Sequence, residues 1–110
     1  MNEIVHLGVA EFDAFLAAAT TPVIVDFWAA WCAPCRAVAP ELEKLNARYA
    51  GAVQIAKVDI DAHPSLAERY EIRSIPTLLC FTPGALAPQR VIGAAAAEVY
   101  AARFGLPTTI

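Results

Sequence analysis

The apolar positions of this chain fall into blocks whose period changes from one block to the next. Over Val9–Ala19, Phe12, Phe15 and Leu16 recur at i, i+3 and i+4, the spacing that gathers side chains on one face of a helix. Pro22 then introduces Val23-Ile24-Val25-Asp26-Phe27-Trp28. This β-branched and aromatic run predicts a strand buried on both faces, with a single acid in its middle. Helical spacing returns over Cys32–Tyr49 through Val38, Leu42, Leu45 and Tyr49. Pro34 falls in the first turn of that helix, where a missing N–H is harmless. Pro40 lies inside the pattern and is expected to kink the helix, not end it. Val53–Asp59 reads as a second strand, Pro64 to about Tyr70 as a short helix, and Thr77–Phe81 as a third strand. Pro83-Gly84 marks a turn. Gln89–Ile92 is a weaker strand with Pro88 at its start, which places it at a sheet edge. Ala94–Phe104 is an alanine-rich closing helix. Phe12, Phe15, Tyr70 and Phe81 are read as core.

Strands alternating with helices, then two strands joined by a turn, imply a mixed α/β sheet flanked by helices. The 110 residues suit one hydrophobic core and carry no repeat, linker or compositional break, so 1–110 reads as a single domain. Hydrophobic residues make up 58% and charged ones 17%, which excludes disorder. Much of the apolar share is alanine, and no apolar run approaches the ~20 residues that span a bilayer. The net charge is −3, the lysines are Lys44 and Lys57, and no basic patch invites nucleic acid. Met1–His6 has neither a positive n-region nor an apolar h-region, so no secretory signal is expected and a cytoplasmic location is.

Three cysteines are present, two of them spaced C-x-x-C at Cys32 and Cys35. An odd number without an export signal argues against a stapling disulfide framework and for redox or metal chemistry. A zinc knuckle needs further ligands, and only His6, His63 and Cys80 remain. Cys80 lies roughly 13 Å along its strand from Pro76, too far to complete a site there. Redox chemistry is therefore preferred, no metal is expected, and Cys80 reads as a small core residue. His63, before Pro64, is read as a capping or surface residue. The pair itself sits between a buried strand and the start of a long helix. Disulfide exchange requires a thiolate, and unsatisfied N–H groups with the positive end of the helix dipole favour one on Cys32. Arg36, a solvated charge, favours it slightly. Cys35 follows one turn later, better buried and able to attack a mixed disulfide formed on Cys32.

The stretch V-D-F-W-A-A-W-C-A-P-C-R, followed by a helix holding Pro40, resembles the active site of the thioredoxin family. E-I-R-S-I-P-T-L resembles that family's second signature and Val91-Ile92-Gly93-Ala94 its third, in order and over nearly the whole chain. The resemblance implies the thioredoxin fold, a central mixed β-sheet of four to five strands flanked by about four α-helices. It makes Pro76 a cis-proline beside the cysteines, exposing the backbone of Ile75 to an incoming peptide strand. Trp31, Ile75, Pro76, Gly93 and Ala94 then form a shallow apolar docking surface, with Trp28 packed beneath. Ala33 and Pro34 shape the loop between the cysteines, Ala33 replacing the family's commonest glycine. Asp26 and Lys57 match the family's buried acid and its neighbour. Burial should raise the pKa of Asp26, which would relay a proton to or from Cys35. Lys57 either modulates that acid or simply extends toward solvent. The implied function is reduction of protein disulfides by a monomer with no bound cofactor. It would be recharged by thioredoxin reductase, a flavoprotein that draws on NADPH. A disulfide oxidase or isomerase, and a binding module that does not use its thiols, are the alternatives. Glu71 stands where a glycine often ends the short helix, predicting backbone strain if φ is positive there. The turn Thr82–Pro88 is about one residue longer than the family's.

Overall fold

The run that follows Pro22 forms the central strand of the sheet, because both of its faces are covered. In the computed structural model, which describes residues 3–107, the element order is β1 (Val5–His6), α1 (Val9–Ala18), β2 (Val23–Trp28), α2 (Ala33–Arg48), β3 (Gln54–Asp59), α3 (Pro64–Arg69), β4 (Thr77–Phe81), β5 (Gln89–Ile92) and α4 (Ala97–Arg103). The strands lie in the order β1-β3-β2-β4-β5. β1, β3 and β2 are parallel, whereas β4 runs antiparallel to both β2 and β5.

Strand alternation sends successive residues of β2 to opposite faces. Ile24 joins Val38, Leu42 and Leu45 of α2 and Ala97, Tyr100 and Ala101 of α4 in one apolar cluster. Val23, Val25 and Phe27 join Phe12 of α1 and Leu66 of α3 in the other. Each fully buried side chain of this size contributes about 1.5–3 kcal/mol, so these two layers hold the sheet. Phe15, Tyr70 and Phe81 are half-buried and pack around the second cluster. Tyr70 and Phe81 meet edge-on with ring centroids 5.4 Å apart. Cys80 is a free, buried thiol in the first cluster.

The helix over Pro40 continues through it to Arg48, and β5 lies at the sheet edge with Pro88 just before it. Two features depart from expectation. β1 is a two-residue strand on the outer side of β3, too short to carry a period. The last helix starts at Ala97 rather than Ala94. Ala96 is extended (φ −73°, ψ 157°) and caps the helix, so Ala94–Ala96 serve as a connection. Glu71 has φ 54°, a left-handed conformation that a side chain holds at a cost of about 1–2 kcal/mol.

Candidate active site

The junction of β2 and α2 places the cysteine pair. Cys32 is the N-cap of α2, with extended backbone (φ −89°, ψ 107°), and its Sγ accepts the N–H of Cys35 at 3.2 Å. A sulfur thus occupies the place of the oxygen that usually caps a helix. Pro34, at the second helical position, has no N–H of its own to compete. Cys32 and Cys35 are joined as a disulfide with their Cα atoms 5.2 Å apart. Cys35 is 1% exposed and Cys32 4%, so the expected order holds. Cys32 nevertheless lines a groove open to solvent. Arg36 is exposed but not merely solvated: its Nη1 donates to the carbonyl of Ala30 at 2.8 Å and ties back the loop ahead of the pair.

That groove encloses about 400 Å³ and runs between Trp31-Cys32-Ala33-Pro34 and Ile72-Arg73-Ser74-Ile75, with Ile60 as a further wall. The Ile75–Pro76 peptide is cis, and the Ile75 carbonyl oxygen lies 3.7 Å from the Sγ of Cys32. Trp31 is 66% exposed, and its indole N–H donates to Asp61 at 2.9 Å. Trp28 packs under the pair against Ala29, Cys32 and Cys35. Pro76, the second residue of that cis peptide, is buried. The N–H of Gly93 donates to the carbonyl of Pro76 at 2.8 Å, and the Tyr100 hydroxyl donates to the Gly93 carbonyl at 2.8 Å. Gly93 is thereby fastened beside the cis peptide, while Ala94 is exposed and does not line the groove. Sequence reasoning assigned no site role to Ile60, Ile72, Arg73 or Ser74, although the last three lie inside the second signature. It also missed Asp61 and Tyr100, which hold the site through contacts that no local pattern encodes.

Asp26 is 0% exposed on the α2 face of the sheet, beside Lys57 of β3 and Leu78 of β4. Neither carboxylate oxygen has a hydrogen-bond partner among the described residues. Burial pushes its pKa from the ordinary 3.8 to about 7, and the nearby Lys57 ammonium pulls the other way. Lys57 is half-buried, with its Nζ 4.5 Å from the centroid of the Trp28 ring. Burial also raises the Cys80 thiol. His63 caps α3 without a side-chain bond of its own; instead its Nδ1 accepts the N–H of Val9 at 3.4 Å. Among the described residues, no three His, Cys, Asp or Glu side chains gather as a metal site.

A cysteine pair capping a helix, facing a cis-proline segment across a groove on a mixed α/β sheet, defines a dithiol–disulfide oxidoreductase. A sequence model of the thioredoxin family matches residues 3–103, and the chain belongs to that family. It is 50% identical over 88 residues to thioredoxin C-2 of Corynebacterium nephridii, covering 80% of this chain and 82% of the relative. It is 44% identical over 94 residues to the chloroplastic M-type thioredoxin of Zea mays, covering 86% of this chain but 56% of that longer one. The solved structure of chloroplastic thioredoxin z superposes with a TM-score of 0.86 at 28% identity, covering 96% of this chain and 94% of that one. The chain is a protein-disulfide reductase. Among the described residues, no helix is long and apolar enough to cross a membrane.

Proposed function

We propose that Cys32 is the attacking sulfur and Cys35 the resolving one. The observation that carries this is the Sγ of Cys32 at the N-cap of α2, receiving the Cys35 N–H while lining the groove. In the reduced protein the Cys32 thiolate attacks a substrate disulfide, forms an S–S bond to one substrate sulfur and releases the other as a thiolate. Asp26 then takes the proton of the Cys35 thiol. The Cys35 thiolate attacks the Sγ of Cys32 and expels the second substrate thiolate. Two electrons have passed to the substrate, two protons complete its thiols, and the Cys32–Cys35 disulfide remains. A carboxylic acid that titrates near neutrality suits that proton transfer. Lys57 tunes Asp26 by opposing the effect of burial.

The substrate is an extended segment of a disulfide-containing protein. It docks on Trp31, Pro34 and Ile75, with its backbone against that of Ile75 and with Gly93 beside the cis peptide. Thioredoxin reductase, drawing on NADPH, returns the pair to the dithiol, so this chain carries electrons with no cofactor of its own. It acts as a monomer in the cytoplasm, a compartment where thiols stay reduced. No positive charge lies between the cysteines to over-stabilise the thiolate, which favours a reductant over an oxidase or isomerase.

With dithiothreitol as electron source, the wild type should reduce insulin and Cys32→Ser should fall to the uncatalysed rate. A variant that kept full activity would leave a binding module as the better description. Equilibration against glutathione separates the redox alternatives. A midpoint near about −270 mV marks a reductant and one near about −120 mV an oxidant.

A further inference from the structure

The groove wall Ile72–Ile75 leaves α3 through two residues that a distant side chain holds. α3 has six residues and closes at Tyr70, where the chain turns into the left-handed conformation of Glu71. The N–H groups of Glu71 and Ile72 turn back to the Glu68 and Ala67 carbonyls of α3, and the carbonyls of Tyr70 and Glu71 lie just past the helix end. Here the guanidinium of Arg90 supplies both partners: its Nη2 donates to the Tyr70 carbonyl at 2.5 Å and its Nη1 to the Glu71 carbonyl at 3.5 Å. Arg90 comes from the edge strand β5, opposite Leu79 of β4, and Leu79 faces the α1/α3 layer. Strand alternation therefore sends the Arg90 side chain toward α3, while its neighbour Val91 faces the other core. Beyond Glu71 the segment is tied down again at Ser74, whose carbonyl accepts the Thr77 hydroxyl at 2.6 Å, and at Pro76.

We propose that Arg90 is a positioning residue for substrate capture: it fastens the point where the docking segment Ile72–Pro76 leaves α3, and so sets the Ile75 backbone against Cys32. It touches neither sulfur nor substrate. This rests on the reading that substrate docks along Ile75. Removing the fork should loosen the segment and weaken docking while leaving the chemistry of the cysteine pair intact. The guanidinium matters as a planar fork, since lysine offers charge without two parallel donors.

The test compares wild type, Arg90→Met and Arg90→Lys on insulin and on a small aromatic disulfide that needs no docking segment. Arg90→Met should raise KM for insulin by roughly three- to tenfold with kcat within about twofold, a loss of binding rather than of transition-state stabilisation. The rate on the small disulfide and the titration of the Cys32 thiolate should not move. Arg90→Lys should fall between the two, and it alone carries the comparison if Arg90→Met does not fold. Unchanged KM in the folded variant, or an equal loss on both disulfides, overturns the proposal. Wild type that reduces the small disulfide but not insulin would instead overturn the docking reading on which it rests.

Discussion

An aspartate with no exposed surface, and with no hydrogen-bond partner among the described residues, is pushed toward its neutral form by burial. Its ordinary pKa of 3.8 describes the unfolded chain, and the folded value is about 7. Below pH ~4 both states hold the proton and its contribution to stability is complete. Between ~4 and ~7 the unfolded chain ionises first, so stability falls as pH rises through that window and levels above it. The difference converts to at most about 4 kcal/mol. Asp26→Asn should therefore raise the unfolding free energy of the oxidised protein by up to roughly that amount at pH 8, with the gain vanishing by pH 4. Urea unfolding at the two pH values checks this; a gain independent of pH would show that the carboxyl does not titrate in that window. The same substitution should slow release of substrate from the mixed disulfide near neutral pH. The position of Asp26 in an apolar run was legible from the sequence, as was the strain at Glu71. The cation above Trp28 was not, because Lys57 and Trp28 meet only once β2 and β3 are paired.

Among the elements, β2, β4 and β5 have the bounds that periodicity and proline placement predict. Their information is local: alternation, branching and an adjacent breaker. α4 differs because a side chain from another helix chooses its start. Ala96 offers no capping side chain, and Glu41 of α2 accepts the Ala97 N–H at 2.9 Å in its stead. That N–H, and then the Lys44 side chain, hold the Glu41 carboxyl below the usual range. Glu41→Ala should speed hydrogen exchange at Ala97 and along the first turn of α4 while leaving the amides of β2 unchanged. Unaltered protection in α4 would mean that packing of Tyr100 alone sets the helix start. β1 is the converse case. Two residues carry no period, and the strand exists only because β3 presents an open edge to them.

At the scale of the molecule, antiparallel registry assembles the site. Phe27 near the end of β2 pairs with Thr77 at the start of β4, and Thr77 pairs with Ile92 at the end of β5. Three loops far apart in sequence, around Cys32, Ile75 and Gly93, therefore meet at one end of the sheet. The Cys32–Cys35 bridge, closing a separation of three residues, constrains the unfolded chain little. Loop entropy alone makes the oxidised form about 2 kcal/mol more stable than the reduced one. Urea unfolding with and without excess dithiothreitol at pH 7 measures the difference. A reduced form as stable as the oxidised would mean that the dithiol makes compensating contacts at the N-terminus of α2. The sequence by itself determined the redox pair, its seat between strand and helix, the buried acid and the succession of strands and helices, since each is written in neighbouring residues. Only the tertiary structure decided which walls face Cys32, which carbonyls Arg90 and Tyr100 grasp, and where α4 begins. Those depend on side chains that become neighbours only after the sheet has closed its registers.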